Sequence, residues 1–123
     1  MDEAALGRLT GYKLSGGFTI ARIRLTNEML VDAIGREAVA RTAIVGLSLD
    51  IELRRLSDEE ISISLYHEVL EASTVATAIT PRAVAMFNEG DFERAARHAH
   101  AQLGPATAEN LDRMLQSFGF GEQ

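Results

Sequence analysis

The sequence predicts an α+β fold, in which a small twisted sheet packs on one long helix and the C-terminal half is helical. Three observations carry that expectation. Both runs with strand character, 18–25 and 43–53, lie in the first half of the chain. From Ser57 onward the apolar residues recur at three- and four-residue spacing. The helix expected there opens on "SDEE" (57–60), a capping box with Ser57 at the N-cap and Glu60 at the third helical position.

A chain of 123 residues fits one domain with a single core, so residues 1–123 are expected to fold as one unit. Apolar residues make up 46%, which excludes global disorder. No repeat, low-complexity tract or linker divides the chain. Residues 1–15 are the least patterned and are expected to be partly mobile.

Gly16-Gly17 marks a turn into "FTIARIRL" (18–25), whose alternation slips between Ile20 and Ala21, the sign of a bulge or of a strand buried on both faces. "TNEMLVDAIG" (26–35) predicts a helix, capped by Thr26 or Asn27, striped by Met29, Leu30, Ala33 and Ile34, and stopped by Gly35. Residues 36–41 are ambiguous. "AIVGLSLDIEL" (43–53) predicts one strand, with a clean apolar/polar alternation in its second half. The helix from Ser57 is expected to reach about residue 78. "TPRAVAMF" (80–87) predicts another, with Thr80 as N-cap and Pro81 in the first turn. "NEGD" (88–91) interrupts or bends it. "FERAARHAHAQLG" (92–104) follows, and 107–120 is a last short helix.

The charge balance narrows the partners. A net charge of −6, with arginines only in small groups, argues against nucleic acid. The absence of cysteine removes disulfides, thiolate metal sites and thiol nucleophiles together. The start lacks a signal-peptide pattern, and no apolar run is long enough to span a bilayer. The expectation is a soluble, cytoplasmic protein without a membrane partner.

The chemistry concentrates in "LYHEVLEA" (65–72). On a helix His67 and Glu71 project from adjacent turns in the same direction, the arrangement by which two side chains grip one metal ion. Glu68 is offset from them by about 100° around the axis. Glu60, Ser64 and Thr74 fall on the same polar stripe, which is also what a solvated helix face looks like. No nucleophile elbow, phosphate-binding loop or dinucleotide fingerprint competes with this motif.

Residues 56–72, "LSDEEISISLYHEVLEA", resemble the active-site helix of zinc peptidases of the gluzincin type, in which a His-Glu-x-x-His follows a Leu-Ser-x-x-Glu-Leu lead. Here Glu71 stands where the second histidine is expected. The resemblance implies a minimal zincin-like domain that hydrolyses peptide bonds, with a metal on His67 and Glu71 and with Glu68 as general base. It also implies a third ligand from an acid on the next helix. "NEGDFERAA" (88–96) is similar to that segment, with Asp91 in the ligand position and Glu89 in reserve. Asp91 is equally suited to cap the helix from Phe92. One imidazole with two carboxylates is a harder donor set than the usual one, so zinc is joined by Mn²⁺ and Fe²⁺ as possible ions. His98 or His100 offers a second imidazole. The implied partner is a peptide or protein substrate, lying along the wet edge of the 43–53 strand. The alternative is a non-catalytic zincin-like domain that acts as a protein-interaction module, Glu71 marking the lost function.

Overall fold

The computed structural model describes residues 3–32 and 34–121 and has the expected α+β architecture. In chain order it comprises α1 (Glu3–Gly7), β1 (Thr19–Thr26), β2 (Leu30–Val31), β3 (Glu37–Ala38), β4 (Ala40–Val45), β5 (Ser48–Arg54), α2 (Asp58–Ala76), a 3-10 turn (Arg82–Val84), α3 (Glu89–Leu103) and α4 (Ala108–Ser117). The main sheet has the order β1-β5-β4, with β1 parallel and β4 antiparallel to β5. The slip in the first strand is a register shift between Ile20 and Arg22 against β5.

The 43–53 run is two strands rather than one. Gly46, at φ 61°, opens the turn that folds β4 back on β5. The cleanly alternating half is β5, the central strand. Its Leu49, Ile51 and Leu53 are fully buried on one face, while Asp50 and Glu52 on the other pair with Arg22 and Arg41 at 2.7 Å each. β1 and β4 are the two edges of the sheet.

The helix expected over 26–35 does not form. Leu30 and Val31 instead pair with Ala38 and Glu37 in a short hairpin. Asp32 decides this: its carboxylate accepts from the backbone N–H groups of Ile34 (3.0 Å) and Arg36 (2.9 Å), and Gly35 takes φ 84°. These local side-chain bonds satisfy the backbone in a turn and compete with helix. Of the expected stripe only Leu30 is buried; Met29 and Ile34 face solvent, and Ala33 lies outside the described residues. At the N-terminus, expected to be unpatterned, Leu6, Leu9 and Leu14 enter the core.

α2 runs through the middle of the molecule. Ser57 accepts from the Glu60 N–H (3.2 Å), and three acids occupy the positive end of the helix dipole. Ile61, Leu65, Val69 and Ala72 are buried on one flank and Ile63, Tyr66 and Leu70 on the other, so the helix is covered by the sheet and by later helices. Of the expected 80–87 helix only the single 3-10 turn forms, and Asn88 then caps a new helix. That helix, α3, starts at Glu89 and not at Phe92, and buries Phe92, Ala96 and Ala99 against α2.

Ile51→Ala removes a fully buried side chain from the central strand and is expected to cost about 2–5 kcal/mol. Val45→Thr, at the exposed end of β4, is expected to stay within about 0.5 kcal/mol. Urea unfolding of both variants checks the pair, and equal losses would contradict the hairpin geometry.

Candidate metal centre

His67 and Glu71 emerge one turn apart from α2, with His67 Nε2 3.5 Å from Glu71 Oε2. α3 crosses in front of them. Its residues Glu89 and Glu93, also four apart, straddle the imidazole ring: Glu89 Oε2 lies 3.2 Å from Nε2, and Glu93 Oε1 2.9 Å from Nδ1. Phe92 packs beside the ring at a centroid distance of 6.2 Å. Only 15% of the His67 side chain is exposed. Thr42 of β4 donates its hydroxyl to Glu68 Oε1 at 2.8 Å. A cavity of ≈ 960 Å³ opens between these groups and the β3–β4 segment, with His67, Glu68, Glu71 and Glu89 on one side and Thr42 and Ile44 on the other.

The electrostatics follow from crowding carboxylates around one ring. Burial opposes a charge on His67, but the Glu71 and Glu93 carboxylates bonded to it, with Glu68 and Glu89 nearby, outweigh burial and raise its pKa to about 10. Burial raises Glu68 above the usual carboxylate range, against the lowering effect of the Thr42 hydroxyl and the His67 charge. His67 lowers Glu71, while burial and the Glu71 carboxylate raise Glu89. Glu71 and Glu89 act on each other as well as on the ring, so the two carboxyls titrate together, Glu71 shifted down and Glu89 up.

Of the residues singled out from sequence, His67, Glu68, Glu71 and the reserve acid Glu89 are brought together. Asp91 is not. Its backbone N–H donates to the Asn88 side chain (2.9 Å), its carboxylate accepts from the Asn88 N–H (3.0 Å), and it pairs with Arg94. This closed capping box occupies the acid that the resemblance assigned to the third ligand position. His98 is exposed, and His100 Nδ1 bonds Ser62 Oγ at 2.9 Å, so neither joins the cluster. Two residues of the cluster have no site role in the sequence reading: Glu93, an acid of the 88–96 segment, and Thr42. Glu93 could have been found as the i+4 partner of Glu89 on the same helix face. Thr42 could not, because it lies just before the 43–53 run and reaches Glu68 only through the reversal that lays β4 beside α2.

The cluster of His67, Glu68 and Glu71 offers one donor atom each, all within 4.8 Å of one another, and could hold a metal ion. A tetrahedral site with bonds of about 2.1 Å spaces its donors about 3.4 Å apart. The separations of Nε2 from Glu71 (3.5 Å) and Glu89 (3.2 Å) bracket that edge. Neutral imidazole and carboxylates form an ordinary donor set for zinc or a harder divalent ion. No protein-family model, curated protein or solved structure matches the chain. Among the described residues, no helix is long and apolar enough to cross a membrane.

A pH dependence follows for the chelator-treated protein. The folded His67 pKa, about 10, lies above the ordinary histidine value of 6.5, so the charged imidazole contributes stability that is fully present below about pH 6.5 and is lost as pH rises towards 10. Unfolding free energy measured between pH 7 and 9.5 is expected to fall with pH in wild type, and to fall less steeply in His67→Gln.

Proposed function

We propose that this protein is a zincin-like metal-dependent hydrolase of peptide bonds, with His67, Glu71 and Glu89 holding the metal and Glu68 acting as general base. The observation that carries this reading is the convergence of Nε2, the Glu71 carboxylate and the Glu89 carboxylate within 3.2–3.5 Å of the ring nitrogen, while Glu68 lines the same cavity on a separate tether. Glu89, the acid at the first position of α3, takes the third place in the donor set. Zinc fits it, and the two carboxylates also suit Mn²⁺ or Fe²⁺.

A divalent ion in such a pocket supplies Lewis acidity towards a carbonyl oxygen and lowers the pKa of water. The protein side of the chemistry belongs to Glu68. Its Oε1 is held by Thr42, which leaves Oε2 to take a proton from water as the water oxygen adds to the carbonyl carbon. The same proton passes to the leaving nitrogen as the C–N bond breaks. A carboxyl group whose pKa is raised by burial is suited to both halves of that transfer. The edge strand β4, with half-exposed Val39 before it and Ile44 within it, forms the wall along which an extended peptide would lie.

A second reading is a metal-free domain in which His67 is a charged strut between α2 and α3. It is favoured by the fact that both ring nitrogens already have carboxylate partners.

Elemental analysis of natively purified protein separates the two readings. The metal reading expects about one equivalent of a transition metal in wild type. It expects loss in His67→Ala, reduction in Glu89→Gln, and no change in Asp91→Asn. Glu68→Gln is expected to keep the metal while hydrolysis of a peptide library falls about 10²- to 10⁴-fold. Glu71→His is expected to strengthen zinc binding. A wild type that carries no metal, and takes up none on add-back, leaves the strut.

A further inference from the structure

We propose that Glu93 is a positioning residue for the His67 ring, held in place by Arg97 and Glu60, so that Nε2 faces Glu71 and Glu89. This rests on the metal reading above. The carrying observation is a continuous polar ladder between α2 and α3. Glu93 accepts from His67 Nδ1–H through Oε1 at 2.9 Å. Its other oxygen, Oε2, accepts from Arg97 Nε at 2.8 Å. The two terminal nitrogens of Arg97 continue to Glu60 at 3.3 and 3.4 Å. Glu60 lies seven residues, or about two turns, before His67 on α2. The ladder therefore leaves α2 at His67, runs along α3 through residues four apart, and returns to α2.

The geometry gives Glu93 a role distinct from that of Glu89, although both touch the same ring. An imidazole that binds through one nitrogen is oriented by the acceptor at the other, which fixes both the tautomer and the ring plane. Glu93 sits on the nitrogen turned away from Glu71 and Glu89. Both of its oxygens are engaged, so its carboxylate has little freedom to swing towards Nε2. Phe92 packs beside the ring, and Phe87 meets Phe92 edge-on at 5.3 Å, which limits tilting from the other side. The Arg97–Glu60 contact is half-exposed and long, and contributes little stability by itself. Its consequence is orientation, transmitted through Glu93.

The test uses the full chain and Zn²⁺ alone as probe, with affinity measured by competition against a chromophoric chelator. Glu93→Leu is expected to weaken Zn²⁺ binding about 10- to 100-fold. Glu93→Gln, whose amide oxygen still accepts from Nδ1–H, is expected to recover part of the loss. Arg97→Met is expected to cost less than Glu93→Leu, and its effect should vanish in the Glu93→Leu background, because both act through one bond. NMR of the chelated protein supplies a readout that a merely stabilising residue would not move: a protected His67 Nδ1–H signal in wild type and Glu93→Gln, absent in Glu93→Leu. If Glu93→Leu binds Zn²⁺ as tightly as wild type, or Arg97→Met is as costly without Glu93 as with it, the positioning role is overturned and the metal site stands. If wild type binds no Zn²⁺, the metal site itself is overturned and the positioning role with it. Should Glu93→Leu fail to fold, Glu93→Gln and Arg97→Met decide the matter by the same affinity comparison.

Discussion

The constraint on which the structure depends is that α2 is buried along both flanks and still carries polar groups over most of its length. A buried polar atom without a partner costs about 1–3 kcal/mol, so most of the buried polar groups on this helix fix a neighbour. Ser62 Oγ accepts from the Ala106 N–H at 2.9 Å and meets His100, which pins the α3–α4 connection. Tyr66 donates to the Gly104 carbonyl at 2.9 Å, and burial raises its hydroxyl pKa to about 12. Glu68 draws in Thr42 of β4, and His67 draws in Glu89 and Glu93 of α3. Thr74 turns back on its own helix and donates to the Leu70 carbonyl. Ser73 Oγ alone on this helix is buried with no hydrogen-bond partner. The packing of everything C-terminal to the sheet is thus set as much by what α2 must satisfy as by the apolar surface it buries.

That dependence explains what the sequence made legible. The capped start of α2 and the alternation of β5 are local signals of one element each: Ser57 caps, although the Glu60 carboxylate meets Arg97 rather than closing the box, and Leu49, Ile51 and Leu53 face inward. The errors arose where one local signal masked another. Asp32 and Gly35 sit at positions that also suit the end of a helix, so a helical stripe concealed a turn whose bonds come from the Asp32 carboxylate. Gly46 sits inside an apolar run, where a glycine reads equally as a bulge or a reversal. In the site, His67, Glu68 and Glu71 were readable because helix geometry alone relates them. The choice between Glu89 and Asp91 was not, because it depends on where α3 begins. A start at Phe92 leaves Asp91 a choice between N-cap and ligand, whereas a start at Glu89 commits it to the capping box.

The same start defines the chemistry available. By beginning at Glu89, α3 places residues 89, 93 and 97 on one face with the four-residue spacing of neighbouring turns. The face carries acid, acid and base in that order, opposite His67 and Glu60 on α2. Glu89 therefore meets the ring at Nε2, the nitrogen shared with Glu71, and Glu93 meets it at Nδ1. A start three residues later would leave the ring no such pair. Glu71 adds negative charge to this corner, and its carboxylate, with burial, raises the pKa of Glu89. The His67 charge offsets that repulsion only in part, and a divalent cation bound there would offset more of it.

Thr42 and Glu93 bear on opposite demands of the proposed chemistry. Glu93 acts on the group that must not move, the ring that presents Nε2. Thr42 acts on the group that must exchange a proton, and it engages only one oxygen of Glu68. A second donor on that carboxylate would favour its ionised form further and weaken it as a base. A single hydroxyl, set against burial that raises the pKa, leaves Glu68 both oriented and basic. The hydroxyl comes from an edge strand, so in the proposed chemistry the wall along which an extended peptide would lie also sets the base. Displacement of β4 would therefore disturb substrate alignment and proton transfer together, while leaving Nε2, Glu71 and Glu89 to α2 and α3 alone.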